Sequence, residues 1–416
     1  MKLDRVLTLI KLRRSKSVTF PKGKILYVSQ IALDTTLFKS SILEVLTHLA
    51  GKGYRTCLIA MRSKEQSRVE DSSIRMVTIP LRRMPFISSV MYAFVLSFFM
   101  PLYVMTFRPD FVIMHPDVST IGSIPGIFVC RFVKVKFVLD VRSTPVETVG
   151  FRGLLEKLFF TTSIVVSKRL FDGITVITPL MKKELCESYG LDSGKVGVWT
   201  SGVSRILFNP KDHIFKSVEL RRELGLAKKF IVFYHGGFSP TRGLTETVEA
   251  IELLRRTHPN ILLFLLGTGP IVSKLKELIQ KKELQSNVII HGPVDHAEVP
   301  NYIGMSDVCI IPLPYHPYWR FQCPLKLLEY LAMGKVTVAT DIPAHRMIIG
   351  TEKCGIYASS IQPAEIARCI IYAYYNKEKL DEWGKSGQRI VDENYTWRKV
   401  AEDLENYLLS IDKTIG

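Results

Sequence analysis

HGGFSPTRGL, His235 to Leu244, decides how this chain is read. It follows an apolar run, Phe230 to Tyr234, that reads as a buried strand, and precedes the periodic segment Leu244 to Leu254, which reads as a helix. A strand, a turn with paired glycines and a cation, then a helix is how α/β proteins build a pocket for phosphate. Glycines let backbone N–H groups approach the anion, the helix N-terminus adds partial positive charge, and Arg242 supplies a full one. Such turns also serve tight packing alone. The weight here comes from a second element of the same kind, Cys323 to Glu329.

Outward from that turn, strand-like apolar runs alternate with helical patterns. The first half carries expected strands near Lys24 to Ser29, Thr56 to Ala60, Met76 to Ile79, Phe111 to His115, Lys136 to Asp140 and Gly173 to Ile177. Further strands fall near Val196 to Thr200, Phe230 to Tyr234, Ile261 to Leu266, Val288 to His291, Val308 to Pro312, Thr337 to Ala339 and Gly355 to Tyr357. Near-continuous apolar strands separated by helices imply parallel sheets covered on both faces. The fold class is α/β, with two Rossmann-like domains whose parallel sheets face across a cleft and a ligand at the carboxyl ends of the strands. The polar stretch Asn209 to Lys229, with a short helix at Leu220 to Leu224, is the natural boundary. The expected domains are 1–205, 206–385 and a closing helical segment, 386–416, that packs back on the first. The loop after the first strand, SQIALDTTLFKSS, lacks G-x-G-x-x-G, which disfavours a dinucleotide oxidoreductase.

A length of 416 residues suits about two domains, and 47% hydrophobic content supports folded ones. The formal charge of +17, from 56 basic and 39 acidic residues, points to anionic partners. Nucleic acid is not expected among them, because no RNA-binding, zinc-finger or helix-turn-helix signature is present. The seven cysteines are scattered without C-x-x-C, and no His cluster has ligand spacing, so reduced thiols and a cytoplasmic setting are expected and a metal site is not. The amino-terminal stretch MKLDRVLTLIKLRR is interrupted by charge too often for a secretory signal and reads as a membrane-surface helix or a solvated arm.

Met84 to Phe107 contains no charged residue and is bracketed by Arg82, Arg83 and Arg108. That is long enough to span a bilayer, at about 20 residues. It carries Pro85 and Pro101, however, and lies between two strands of one Rossmann-like unit, so a span would divide a sheet between two sides of the membrane. An apolar helix dipping into one leaflet, with arginines at the headgroups, is the better expectation; a buried helix covering the sheet is the competing one.

Taken together, HGGFSPTRGLTETVEAI, LLGTGP, VIIHGPVDHAEVPNYIGMSDVCIIP and CPLKLLEYLAMGKVTVATD resemble the C-terminal half of a GT-B glycosyltransferase of the large retaining family 4. RPDFVIMH, FVLDVRS and SGVSRILFNP add looser support. The resemblance implies a nucleoside-diphosphate sugar held by the second domain and an acceptor held by the first. Its glycine and cation turn falls on Gly236, Gly237 and Arg242; where the family has a first basic residue this chain has Gly237. Of the family's two glutamates, eight positions apart, the first falls on Phe321 and is lost, and the second is Glu329. The chain is similar to the subgroup with a PLKxxEY pattern, here Pro324, Leu325, Lys326, Glu329 and Tyr330.

That pattern has a physical logic. Pro324 suits a first helical position, and Lys326 then joins free N–H groups that favour phosphate, replacing the cation missing at Gly237. Glu329, one turn on, is the ribose ligand by resemblance; a carboxylate accepts two hydrogen bonds from a vicinal diol. An exposed Lys326–Glu329 pair is the bland alternative. Gly267, Thr268 and Gly269 form a close-approach turn near the base or ribose, and His291 ends a strand beside the base or is simply packed. In the first domain His115, Asp117, Asp140, Arg142 and Glu147 stand at strand ends. Asp140 falls where many relatives have a histidine, and is expected to orient the acceptor hydroxyl or take its proton; a buried Asp140–Arg142 pair is the alternative. Arg142 is the candidate for an acceptor phosphate.

The resulting expectation is a retaining hexosyltransferase in glycan or glycoprotein assembly. Arg242 and Lys326 stabilise the leaving diphosphate, Asp140 serves the acceptor, and no cofactor or metal is required. The acceptor is a glycan or a polyprenyl-linked lipid, and the protein sits peripherally on an anionic membrane, on the inner face of the cell membrane. A sugar-nucleotide epimerase of the same architecture and a non-catalytic sugar-nucleotide-binding relative are the competing readings.

Overall fold

The computed structural model describes residues 22–32, 36–61, 73–79, 87–130, 134–145 and 150–413. The amino-terminal basic arm, Arg82, Arg83 and Glu147 lie outside them. All thirteen expected strands form. The first sheet contains β1 (Gly23–Ala32), β2 (Tyr54–Met61), β3 (Ile74–Ile79), β4 (Phe111–Met114), β5 (Lys136–Val141), β6 (Gly173–Val176) and β7 (Val196–Val198), in the order β3-β2-β1-β4-β5-β6-β7. The second contains β8 (Phe230–Gly237), β9 (Ile261–Thr268), β10 (Val288–His291), β11 (Val308–Ile311), β12 (Thr337–Thr340) and β13 (Gly355–Ala358), ordered β10-β9-β8-β11-β12-β13. The described strand pairs run parallel, for example Ile25 with Phe111 and Phe230 with Ile261. Two parallel α/β sheets are therefore present, and the chain separates into two compact units with divisions after Asp140, Phe160 and Gly173.

The parallel arrangement explains why the strands lack polar alternation. Ile231, Val232, Phe233 and Tyr234 are all fully buried, because helices cover both faces of β8. One face packs on the helices Leu244–Leu254 and Pro363–Tyr375 through Val248, Ile251, Ile366 and Ile370. Burying each such side chain contributes about 1.5–3 kcal/mol.

The stretch read as a polar boundary is more ordered than expected. A helix spans Pro210–Glu223 rather than Leu220 to Leu224. Asn209 accepts from Lys211 N as its cap and Pro210 opens its first turn, a start signal that the charged composition masks. Ser217 is its buried residue and fits against Gly304, where a Cβ would strike the Ser217 hydroxyl.

The apolar segment forms the helix Ile87–Phe107 between β3 and β4. By length and composition it could cross a membrane, yet it is neither fully buried nor fully exposed. Tyr92, Leu96, Met100, Val104 and Phe107 face inward at helical spacing. Phe94, Phe98 and Leu102, at 65–66% exposure, form the opposite stripe with Val90, Met91 and Met105. Ser97 and Thr106 bond back to the carbonyls of Ala93 and Leu102, so their hydroxyls are satisfied within the helix. One side of the helix thus packs inward, as the buried-helix expectation has it, and the other presents large apolar side chains to the surface.

Candidate functional site

In the second sheet β8 and β11 are neighbours while β9 and β12 lead away in opposite directions, which makes the ends of β8 and β11 the switch point where α/β ligands bind. The two following loops meet there. Gly243 has φ +66°, and a side chain on it would run into the Pro312 carbonyl. At the ends of β8 and β9, Gly236 pairs with Gly267; both have positive φ, and a Cβ on Gly267 would collide with the Gly236 carbonyl oxygen. Gly269 is similarly tight against the Phe238 backbone, and Thr268 is exposed beside it. Gly237 instead faces open space, so the missing basic residue leaves room rather than a packed substitute.

Two cations converge on this corner. Arg242 ends a short turn, Pro240–Arg242, with its guanidinium 4.7 Å from the Trp319 ring centre, and Trp319 Nε1 donates to Thr241 O at 3.1 Å. Arg242 Nε is buried with no hydrogen-bond partner. Lys326 Nζ donates to the Tyr234 hydroxyl at 2.8 Å and lies 3.9 Å from the centre of that ring; Tyr234 in turn donates to Gly237 O at 3.0 Å. Burial and then the like charge of Arg242 push the Lys326 ammonium well below its ordinary value, with Glu329 opposing. Burial likewise raises the Tyr234 phenol to about 12, with Arg242 pulling the other way. Neither cation has a salt-bridge partner among the described residues. A desolvated ammonium and a half-buried guanidinium with an unpaired Nε, neither in a salt bridge among the described residues, define a place for an anion.

Lys326 stands in the first turn of the helix Leu325–Ala332, as anticipated, though Pro324 is its N-cap rather than its first residue, with extended ψ of 115°. Lys326 and Glu329 do not form an exposed pair. Glu329 is 7% exposed and each of its oxygens accepts from an imidazole: Oε2 from His235 Nε2 at 2.8 Å and Oε1 from His296 Nε2 at 3.0 Å. Burial works against its ionisation, but hydrogen bonds from the two histidines outweigh that and hold its carboxyl at about 2. His235 is itself oriented by the Tyr330 hydroxyl, 3.1 Å from Nδ1, and burial lowers its pKa despite Glu329. Tyr234, His235 and His296 carry no role in the sequence reading. The alternation of β8 places His235 on the opposite face from Tyr234, which is a signal only once Glu329 is known to lie there. His291 is half-buried, stacked on Phe264 and tilted against Tyr302, with Nδ1 donating to Gly292 O at 2.9 Å.

The candidates of the first sheet collect beside β1 and at the ends of β4 and β5. Asp140 is fully buried and accepts from the Tyr27 hydroxyl at 2.6 Å; that oxygen also lies 3.3 Å from His115 Nε2. Asp117 caps the short helix Val118–Gly122 by accepting from Ser119 N at 2.7 Å, and burial raises its pKa against the pull of His115 and the Ser119 bonds. Arg142 is 4% exposed. Its guanidinium donates to the carbonyls of Trp199 at 2.6 Å and Thr200 at 3.1 Å and stacks 3.6 Å from the Trp199 ring centre. Arg142 thus braces the backbone at Trp199 and Thr200 with two of its donors, because buried carbonyls need partners. Among the described residues no group of three or more His, Cys, Asp or Glu is placed to hold a metal ion.

The chain is similar to several known proteins. Residues 217–390 match the family model described as glycosyl transferases group 1. A putative teichuronic acid biosynthesis glycosyltransferase, TuaH of Bacillus subtilis, is 30% identical over 173 residues, 42% of this chain and 41% of that protein. An alpha-D-kanosaminyltransferase of Streptomyces kanamyceticus is 26% identical over 163 residues, 39% and 41% respectively. The match thus spans about two fifths of the length of either relative. Among solved structures, a glycosyltransferase from Rickettsia africae superposes with a TM-score of 0.76 at 17% identity, covering 95% of this chain and all of that one. HepE of Anabaena in complex with UDP superposes at 0.74 and 14% identity, covering 93% and 100%. At those identities the likeness establishes the fold, GT-B with two Rossmann-like domains.

Proposed function

We propose that this protein is a glycosyltransferase that moves a sugar from a nucleoside diphosphate to an acceptor hydroxyl with retention. The observation that carries the proposal is the pair Arg242 and Lys326: the Lys326 ammonium lies over the Tyr234 ring, Arg242 Nε is buried without a hydrogen-bond partner, and neither has a salt-bridge partner among the described residues. When the glycosidic bond to the β-phosphate breaks, the electron pair stays on the departing oxygen. Fixed cations and the N-terminus of the helix Leu325–Ala332 stabilise that charge without reorganising. Gly236, Gly267 and Gly269 give the diphosphate and ribose a close backbone approach, and Glu329 receives the ribose hydroxyls. The family match over residues 217–390 and the UDP complex of HepE support this assignment.

The acceptor belongs to a membrane. The outward stripe Phe94, Phe98 and Leu102 is supported by satisfied serine and threonine hydroxyls and by the charge of +17, which favours an anionic leaflet. That β3 and β4 lie in one sheet favours a helix resting in one leaflet over one that crosses the bilayer, and the cytoplasmic side is part of the same proposal. Calorimetric titration with UDP, ADP and GDP tests the core of the proposal. One of them is expected to bind the wild type and to lose affinity in Arg242→Ala. Absence of binding by all three refutes the assignment. Turnover measured with and without EDTA tests the companion claim that side chains suffice to neutralise the diphosphate; the expected outcome is no difference.

A further inference from the structure

Glu329 presents a conflict with the role assigned to it above. Each oxygen of a carboxylate has two acceptor positions, and one on each already holds an imidazole N–H. The Glu329 side chain is only 10% exposed, so a vicinal diol has to approach it from the side where an imidazole also reaches solvent, and the two histidines are not equal in that respect. His235 belongs to β8, its side chain is 12% exposed, its Nδ1 is held by the Tyr330 hydroxyl, and its ring stacks 5.9 Å from that of Phe233. His296 lies between β10 and the helix Val299–Met305, and its side chain is 60% exposed. Its ring rests 5.4 Å from that of Phe208.

We infer that His296 is a displaceable cap on Glu329, which keeps the buried carboxylate satisfied in the empty site and leaves Oε1 when a ribonucleotide's diol arrives. This inference rests on the proposed nucleotide site. It adds a competition that the site's composition alone does not reveal. While the cap is in place, Glu329 is solvated by protein instead of water, which is what allows an ionised carboxylate to stand 7% exposed without a ligand. His235 remains throughout and keeps Oε2 oriented. The competition depends on pH because an imidazolium holds a carboxylate more strongly than a neutral imidazole does. Among the groups facing His296 are the carboxylate of Glu329 from the helix Leu325–Ala332 and the imidazole of His235 from β8; Phe208 contributes an uncharged ring. In acid solution the cap tightens and ribonucleotide binding weakens.

The test compares wild type with His296→Ala, using UDP, ADP or GDP, whichever binds, and its 2′,3′-dideoxy form, at about pH 6 and about pH 8. The variant is expected to bind the ribonucleotide about fivefold more tightly than wild type at the lower pH, with a smaller gain at the higher one. The dideoxy form, which has no diol to seat, is expected to bind both proteins alike. Ionisation of the phosphate is common to both proteins and cancels in their ratio. Thermal unfolding confirms that the variant is folded. Equal affinities for the ribonucleotide, or weaker binding by His296→Ala, overturns the inference while leaving the nucleotide site intact. Failure of both proteins to bind any nucleotide removes the site and the cap together.

Discussion

Lys326 Nζ lies 3.0 Å from the point where a side-chain carbon on Gly236 would stand. The end of β8 and the cation on the helix Leu325–Ala332 are thus fitted to one another. Gly236 also has φ of +119°, a conformation that other residues adopt only with strain. Gly236→Ala is expected to move the ammonium off Tyr234 and lower kcat, while Gly237→Ala, which meets nothing within 4 Å, leaves it nearly unchanged. Equal effects of the two substitutions in steady-state assays would count against this fit.

Removing either cation acts on the transition state more than on the fold. Arg242→Ala and Lys326→Ala are each expected to lower kcat by about 100-fold or more, the usual effect of deleting one preorganised charge donor. Lys326→Met is expected to raise the melting temperature of the ligand-free protein, since burial and Arg242 both disfavour the ammonium. A lower melting temperature in that variant would show that the lysine is a structural tie.

Glu329 links the site to acid stability. Its folded pKa of about 2 lies below the ordinary 4.5, so its contribution is present above 4.5 and is lost as pH falls toward 2. The difference corresponds to about 3 kcal/mol at most. Chemical denaturation of Glu329→Gln is expected to show a flatter stability profile over that interval than wild type. Parallel profiles would exclude the histidine-held carboxylate.

Tyr27→Phe removes the hydroxyl that donates to Asp140 in the interior of the first unit. A hydrogen bond to a buried charged group is worth about 1.5–3 kcal/mol, and unfolding in urea should show a loss of that size. A change below about 0.5 kcal/mol, the range of ordinary surface substitutions, would mean that Asp140 is held by its other neighbours.

Replacing Phe94, Phe98 and Leu102 together by serine is expected to abolish sedimentation with phosphatidylglycerol vesicles while the melting temperature holds, because those side chains are 65–66% exposed. Unchanged sedimentation would assign membrane contact elsewhere.

Much of this molecule is legible in its sequence because parallel strands buried on both faces leave apolar runs that need no partner to be recognised. Phe230 to Tyr234 is such a run, and Gly236, Arg242 and Lys326 stand beside it as local chemistry. Contacts between distant segments are less visible. Nothing in the sequence near His296 announces Glu329, 33 positions away, and nothing near Tyr27 announces Asp140, 113 away. Composition also misleads where a helix is surface-exposed: Pro210–Glu223 reads as a linker because its charges obscure the Asn209–Pro210 start. The backbone contacts of Arg142 are hidden for a related reason, since a guanidinium bound for solvent and one bound for backbone carbonyls look the same in one dimension.

The placement of β3 and β4 in a single sheet has a consequence for the direction of the chemistry. In the membrane placement proposed above, a chain that enters and leaves its apolar helix on the same side keeps both flanking strands on that side of the lipid. The proposed transfer then reaches only headgroups presented there, and passage of the finished product to the far side falls to some other molecule.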